Sequence, residues 1–533
     1  MTANTLPLSP PRHIVHGDRL DKDLTLSGDV AIVGTGAGGG VAAEILSRAG
    51  FKVVLIEEGG YYTAKDFHPM RESVAYPTLY QEIASRKTKD KGVTILQGRA
   101  VGGSTTVNWT TCFRTPPETL THWRQAHGLK GFSEAEMAPW FERMEKRLSI
   151  APWDGRNPNN DVLYRGATKL GWHAGAISRN VRHCRNLGYC GTGCPVDAKQ
   201  SMLVTTVPAA LDHGASLLAR VRAETLEIQG DRVTGIHGVA LDATGANATG
   251  VRVRVEAPTI IAAGGGINTP ALLLRSRAPD PYALVGQRTF LHVVNASAAV
   301  MPERVAPFDG APQSSYSNEF LWRDGVTGRI GYKLEVAPLH PVLTSTMHKG
   351  HGPEHAEMMA QLPHLNGMIA LLRDGFNEQS QGGRVTLAKD GSPVLDYPMN
   401  DYLWEGVRHA YLAMAECQFA AGATAVMPMH VDTPSYRSWG EAKKAIAELP
   451  LAINRALLFS AHVMGGCPMG EDPRRAVVDS LGKHHQLANL WIIDGSTFPT
   501  GIGANPSLPI YAMAARQASA LAERQRGQKA KTG

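Results

Sequence analysis

The stretch Asp29-Val30-Ala31-Ile32-Val33-Gly34-Thr35-Gly36-Ala37-Gly38-Gly39 decides the fold. Its first five residues include a short β-branched run of the kind buried in a parallel sheet, and the glycines follow without a spacer. Gly34 permits a tight turn, Gly36 lets backbone approach a pyrophosphate, and Gly39 lets the next helix pack close to the strand. That helix carries Val41, Ala42, Ile45 and Leu46, and its free N–H groups receive phosphate charge. A second strand, Lys52-Val53-Val54-Leu55-Ile56, ends in Glu57, where an acid would bind ribose hydroxyls, with Glu58 as the alternative ligand. Strand, glycines, helix, strand and acid in that order predict a Rossmann-like nucleotide site that NAD or FAD would satisfy.

Working outward, 533 residues exceed what one core usually organises, so two lobes are expected. The composition, 43% hydrophobic and 19% charged, excludes a disordered or fibrous chain. The formal charge of +6 is spread over 54 basic and 48 acidic side chains, too dilute for a nucleic-acid-binding stripe. Met1 to Gly28, with Pro7, Pro10 and Pro11, has no apolar signal core, and nowhere is there an apolar run of membrane-spanning length. The expectation is therefore a cytoplasmic protein without an integral membrane segment, peripheral membrane contact being left open. Arg524 to Gly533 reads as a solvated, frayed tail.

A second glycine turn, Gly98-Arg99-Ala100-Val101-Gly102-Gly103-Ser104-Thr105-Thr106-Val107-Asn108, offers backbone donors and hydroxyls suited to another face of a large cofactor. Two further segments follow: Ala257-Pro258-Thr259-Ile260-Ile261-Ala262-Ala263-Gly264-Gly265-Gly266-Ile267-Asn268-Thr269-Pro270, and Leu490-Trp491-Ile492-Ile493-Asp494-Gly495-Ser496 with Asn505-Pro506. With these four segments in order the chain resembles the glucose–methanol–choline oxidoreductases, a family of FAD enzymes. The resemblance implies cofactor contacts from Arg99, Gly102, Gly103, Ser104 and Asn108 in the second motif, and from Asp494, Gly495, Asn505 and Pro506 beside the flavin. Two positions depart from the family pattern, Gly266 and Arg277. Relatives that attach flavin covalently carry a histidine immediately before the motif's asparagine; Val107 stands there, which implies non-covalent FAD.

Oxidising an alcohol requires a proton acceptor in addition to the flavin N5 that takes the hydride. His462, in Ser460-Ala461-His462-Val463-Met464-Gly465-Gly466-Cys467, suits the base because imidazole titrates near neutrality. Asn505, in Gly501-Ile502-Gly503-Ala504-Asn505-Pro506, offers amide donors to the developing alkoxide. The resemblance sets both at the flavin's reactive edge, as in the subgroup with histidine and asparagine that includes cholesterol-oxidase-like and long-chain-alcohol-oxidase-like members. It implies oxidation of a hydrophobic or aromatic primary alcohol to the carbonyl, with oxygen, a quinone or another acceptor taking the electrons. A flavin-dependent lyase or decarboxylase on the same scaffold, and an NAD-dependent dehydrogenase, are the alternatives.

Cys184, Cys190 and Cys194 could present three thiolates to zinc, with His183 as fourth ligand, or to an iron–sulfur cluster of the kind some membrane-associated relatives carry. The pattern also resembles a metal-free structural turn of long-chain alcohol oxidases, and that reading is preferred. His348, His351, His355 and His364 are separated by Gly350, Gly352 and Pro353, which spoil ligand geometry, so no metal site is expected.

The fold class expected is α/β: a Rossmann-like FAD lobe assembled from residues 28–62, 96–114, 201–284 and 456–525, with an α+β substrate lobe and cover from 63–95, 115–200 and 285–455. Gly331-Tyr332-Lys333-Leu334-Glu335-Val336 and Leu291-His292-Val293-Val294 read as strands of the second, antiparallel sheet, and Tyr402 to Ala421 as a long helix burying Cys417.

Overall fold

A computed structural model describes residues 12–347 and 350–532. The quoted stretch forms the strand Val30–Val33 and the helix Ala37–Arg48, followed by the strand Val53–Glu57. These strands lie at the centre of a six-stranded sheet in the order His13–His16, Ser216–Ala219, Val53–Glu57, Val30–Val33, Thr259–Ala262, Leu490–Ile492. Every pairing in it is parallel. Helices cover such a sheet on its faces, which is why Val30–Val33 is wholly apolar and Val53–Glu57 is apolar up to its terminal glutamate. The strands that build it come from both ends of the sequence, as the four separated motifs require.

A second, eight-stranded sheet is mostly antiparallel. Its centre is Val294–Val300, Leu365–Leu372 and Tyr332–Val336, and the helix Asp401–Ala420 packs across it with Cys417 buried. That helix begins where expected because Asn400 caps it, its side chain accepting from Leu403 N–H at 3.2 Å. The strand Leu458–Ser460, in a segment expected to serve the cofactor lobe, is hydrogen-bonded into this second sheet instead.

Two local expectations change, and one expected strand is buried on both faces. The run Leu291-His292-Val293 is not a strand: His292 sits at φ 50°, and the N–H groups of Leu291 and His292 donate to the buried Asp374 carboxylate, so the strand starts only at Val294. The alternation of Tyr332–Val336 does not mark one wet face, because all five residues are buried. The tail is helical through Thr532, continuing the helix from Ser507, and Gly533 lies outside the described residues, as do Met1, Pro7, Pro10, Pro11 and His348. Among the described residues no helix is long and apolar enough to cross a membrane.

Candidate active site

Residues from the four motifs converge on one cavity of about 630 Å³. Gly34 and Gly36 lie on its wall for different reasons. Gly34 has φ +98°, and a Cβ there would come within 2.3 Å of the Ala263 carbonyl oxygen, so the turn admits no side chain. Gly36 has φ −69°, which any residue adopts, and a Cβ there would meet only Gly103 Cα at 3.8 Å. The space beside Gly36 is thus kept free of protein atoms at the helix N-terminus, a cradle that fits a pyrophosphate.

Glu57 also lines the cavity, at the end of its strand. Its Oε2 accepts from Thr35 N–H at 3.0 Å and Thr35 hydroxyl at 2.6 Å, and Oε1 accepts from Gly59 N–H at 2.9 Å. Thr35 Oγ1 in turn accepts from Gly102 N–H at 2.9 Å. One carboxylate therefore knits the two glycine turns together. With roughly four acceptor positions on a carboxylate, three donors leave room for one hydroxyl more. Burial pushes the Glu57 carboxyl above its ordinary range against those donors.

Gly103, Ser104, Asn108, Asp494, Gly495 and Pro506 are on the wall as well. Three expected contacts are not. Gly39 packs on the loop itself, where a Cβ would lie 2.0 Å from the Gly34 carbonyl oxygen. Gly102 is occupied with Thr35 as above. Arg99 turns away to pair with Glu58 at 2.9 Å and to donate to the Gly245 carbonyl, and that pair also removes Glu58 as an unencumbered ribose ligand. Asp494 works through other residues: its carboxylate accepts from Gly265 N–H at 2.7 Å, Thr269 hydroxyl at 2.6 Å and Ser496 N–H at 2.8 Å, holding the third and fourth motifs together.

His462 and Asn505 line the same cavity. Burial, assisted by the Lys333 ammonium, pulls the His462 imidazole down to about 3, far below the near-neutral titration expected from an isolated imidazole. Its resting form is neutral at any physiological pH, which is the form that accepts a proton. His462 Nδ1 lies 3.1 Å from His292 Nδ1. Asn505 Nδ2 donates to Glu335 Oε2 at 3.2 Å, while its Oδ1 is buried without a hydrogen-bond partner. Glu335 and Lys333 are fully buried, with Nζ 3.9 Å from Oε1; burial pushes the carboxyl up and the ammonium down, and their attraction opposes both.

Sequence reading missed His292, Lys333 and Glu335. His292 was hidden inside an apolar run, and the two charges inside an alternating strand whose polar face would ordinarily be wet. A charged pair two residues apart on a strand flanked by apolar residues is a signal only once both faces are known to be covered.

The far wall is apolar. Val294, Ile369 and Leu371 line it from the second sheet, with Trp109 and Phe459 packed against them. Val107 is also on the wall and has no nucleophilic atom.

The cysteine turn lies elsewhere. Cys184, Cys190 and Cys194 border a separate small cavity of about 20 Å³, and the Cys190 carbonyl accepts from the buried Lys199 ammonium at 2.6 Å. The same ammonium holds the carbonyls of Thr106 and Asn108, so the turn braces the second glycine motif. Among the described residues, no group of three or more His, Cys, Asp or Glu side chains is arranged to hold a metal ion. His355 and His364 instead face the Ser345 and Glu303 carbonyls, at 2.9 and 3.0 Å.

Models of the GMC oxidoreductase family match residues 54–294 and 378–514. An uncharacterized GMC-type oxidoreductase of Sinorhizobium fredii is 27% identical over 521 residues, covering 96% of this chain and 99% of its own. A long-chain-alcohol oxidase of Arabidopsis thaliana is 27% identical over 523 residues, covering 91% of this chain and 66% of its own length. Among solved structures, pyridoxine 4-oxidase from Mesorbium loti superposes with a TM-score of 0.65 at 18% identity, over 92% of this chain and 98% of that one. A formate oxidase of Aspergillus oryzae does so with 0.68 at 14% identity, over 95% and 99%. These two likenesses speak for the fold.

Proposed function

The chain belongs to the GMC oxidoreductase family, and from that premise we propose that it oxidises a hydrophobic or aromatic primary alcohol to the carbonyl, with His462 as base and Asn505 as the group that steadies the substrate oxygen. At the coarser level it is an FAD-dependent oxidoreductase acting on CH–OH groups. FAD, when bound, supplies the hydride acceptor. The fit of the residues to it rests on the clear space beside Gly36 and the acceptor position left on Glu57.

The observation that carries the reading is that a neutral imidazole and a primary carboxamide from the C-terminal part of the chain share one cavity with the N-terminal glycine loop. His462 takes the hydroxyl proton. Asn505 donates an N–H to the oxygen as charge grows there, a contribution of the oxyanion-hole kind. The apolar wall of Val294, Ile369 and Leu371 excludes water and favours a hydrocarbon or arene on the alcohol carbon. Val107 supports non-covalent cofactor binding. The division into FAD-binding segments 28–62, 96–114, 201–284 and 456–525 belongs to the same proposal, supported by the parallel sheet that those segments largely supply.

The test is anaerobic mixing of the yellow holoprotein with aliphatic and benzylic primary alcohols. Bleaching of the visible flavin bands by these, and not by short polar alcohols or sugars, supports the reading. Bands that persist with every alcohol reject it.

A further inference from the structure

Lys333 and Glu335 stand two apart on the strand Tyr332–Val336, so their side chains leave the same face of the second sheet. Their cross-strand partners are Leu371 and Ile369, both on the apolar wall of the cavity. One face of the sheet therefore carries hydrocarbon to the cavity and, beside it, a fully buried ion pair. Lys333 Nζ also sits over the Phe113 ring, 2.9 Å from its centroid, with the Tyr316 ring at 4.6 Å. Burying two charges is costly even when they are paired, and a hydrophobic pair of similar volume would usually serve stability as well.

What the pair holds is specific. Glu335 Oε2 accepts from Asn505 Nδ2 at 3.2 Å and from Gln313 Nε2 at 2.7 Å, and Gln313 Oε1 accepts from the Thr111 hydroxyl at 2.5 Å. An ionised carboxylate only accepts, so it can face only the NH2 end of the amide. That chooses one of the two flips of a side chain whose Oδ1 has no partner to choose for it. We propose that the Lys333–Glu335 pair is a positioning device for the alcohol oxidation, locking the Asn505 carboxamide so that its remaining N–H stays available to the substrate oxygen. Lys333 keeps Glu335 an acceptor, and Glu335 sets the amide. Neither residue is on the cavity wall, so each acts through Asn505.

The inference rests on Asn505 serving the substrate oxygen, so Asn505→Ala is the reference. It is expected to slow anaerobic flavin reduction by about 10²–10³-fold, the usual cost of one such donor. Single substitutions in the pair leave an unpaired buried charge and compromise folding, so two double variants carry the test. Lys333→Met with Glu335→Leu removes both charges and the acceptor. Lys333→Met with Glu335→Gln removes both charges and keeps an acceptor oxygen for Asn505 and Gln313. Both are checked for thermal stability and FAD content before reduction is followed at saturating alcohol.

The expected result is a Gln variant within a few-fold of wild type and a Leu variant slowed at least about tenfold at the reduction step, approaching Asn505→Ala, with the alcohol's apparent Kd little changed. Equal rates in the two double variants, whether both high or both low, overturn the proposal: the pair then acts through stability or through charge, not through the amide. If Asn505→Ala itself reduces flavin at the wild-type rate, the underlying reading of the site fails instead.

Discussion

His292 Nδ1 lies 3.1 Å from His462 Nδ1, a contact between two neutral rings in which only one can carry the shared proton. For His462 to accept a substrate proton at Nε2, its own Nδ1–H must donate to His292. His292 then carries its proton on Nε2, a buried atom without a partner. The backbone that holds this arrangement is itself held: Asp374 Oδ2 accepts from Leu291 N–H at 3.0 Å, His292 N–H at 3.3 Å and the Tyr397 hydroxyl at 2.7 Å. Replacing His292 with Leu is expected to leave FAD bound and to slow flavin reduction by about tenfold or more, part of the 10²–10⁴-fold typical of acid–base catalysis. His292→Asn, which can still accept through Oδ1, is expected to recover part of that loss; stopped-flow reduction of the two variants compares them.

The two first glycines of the loop separate folding from cofactor binding. Gly34→Ala meets the Ala263 carbonyl oxygen at 2.3 Å and a positive φ, so a lowered melting temperature and poor expression are expected. Gly36→Val meets no protein atom closer than 3.8 Å from its Cβ, so it is expected to fold and to purify colourless. Absorbance at the flavin bands together with circular dichroism distinguishes the outcomes; a yellow Gly36→Val would show that the cradle is not where the pyrophosphate sits.

Val107 gives a simple chemical prediction. Acid precipitation of the holoprotein is expected to release all of its flavin to the supernatant, because the position has no atom that forms a bond to it. Yellow pellet after washing would contradict this.

Three buried histidines contribute stability that is lost with acid in a definite window. Burial pulls His462 and His127 down to about 3 and His484 to about 4, from an ordinary 6.5. The unfolded chain therefore binds protons that the folded protein refuses, and stability present above 6.5 is lost as pH falls toward 3. Buried carboxyls such as Glu57, pushed up, act with the opposite sign, so the histidine contribution is read by difference: urea midpoints of His484→Gln, away from the cavity, are expected to gain on wild type as pH falls from 7 to 4.

What the sequence made legible followed from local rules. A β-branched run, a glycine turn and a helix are adjacent in the chain, so Val30–Val33, Gly34, Gly36 and the helix Ala37–Arg48 were readable directly. His462 and Asn505 came through motif resemblance, since nothing nearby in the chain reports the shared cavity. Arg99 also came through the resemblance, and only the fold brings Glu58 to it. Lys333 and Glu335 were unreadable for the opposite reason: alternation tells which residues share a face, not whether that face is wet. His292 required a long-range carboxylate, Asp374, to turn an apparent strand into a left-handed residue in contact with His462.

The most direct test of the account is single-turnover flavin reduction by alcohol, without oxygen, in His462→Ala loaded with FAD. The predicted result is wild-type FAD content with reduction slowed by about 10²–10⁴-fold and partly restored by added imidazole. Reduction at the wild-type rate with full FAD content would contradict the central claim that this imidazole receives the substrate's proton.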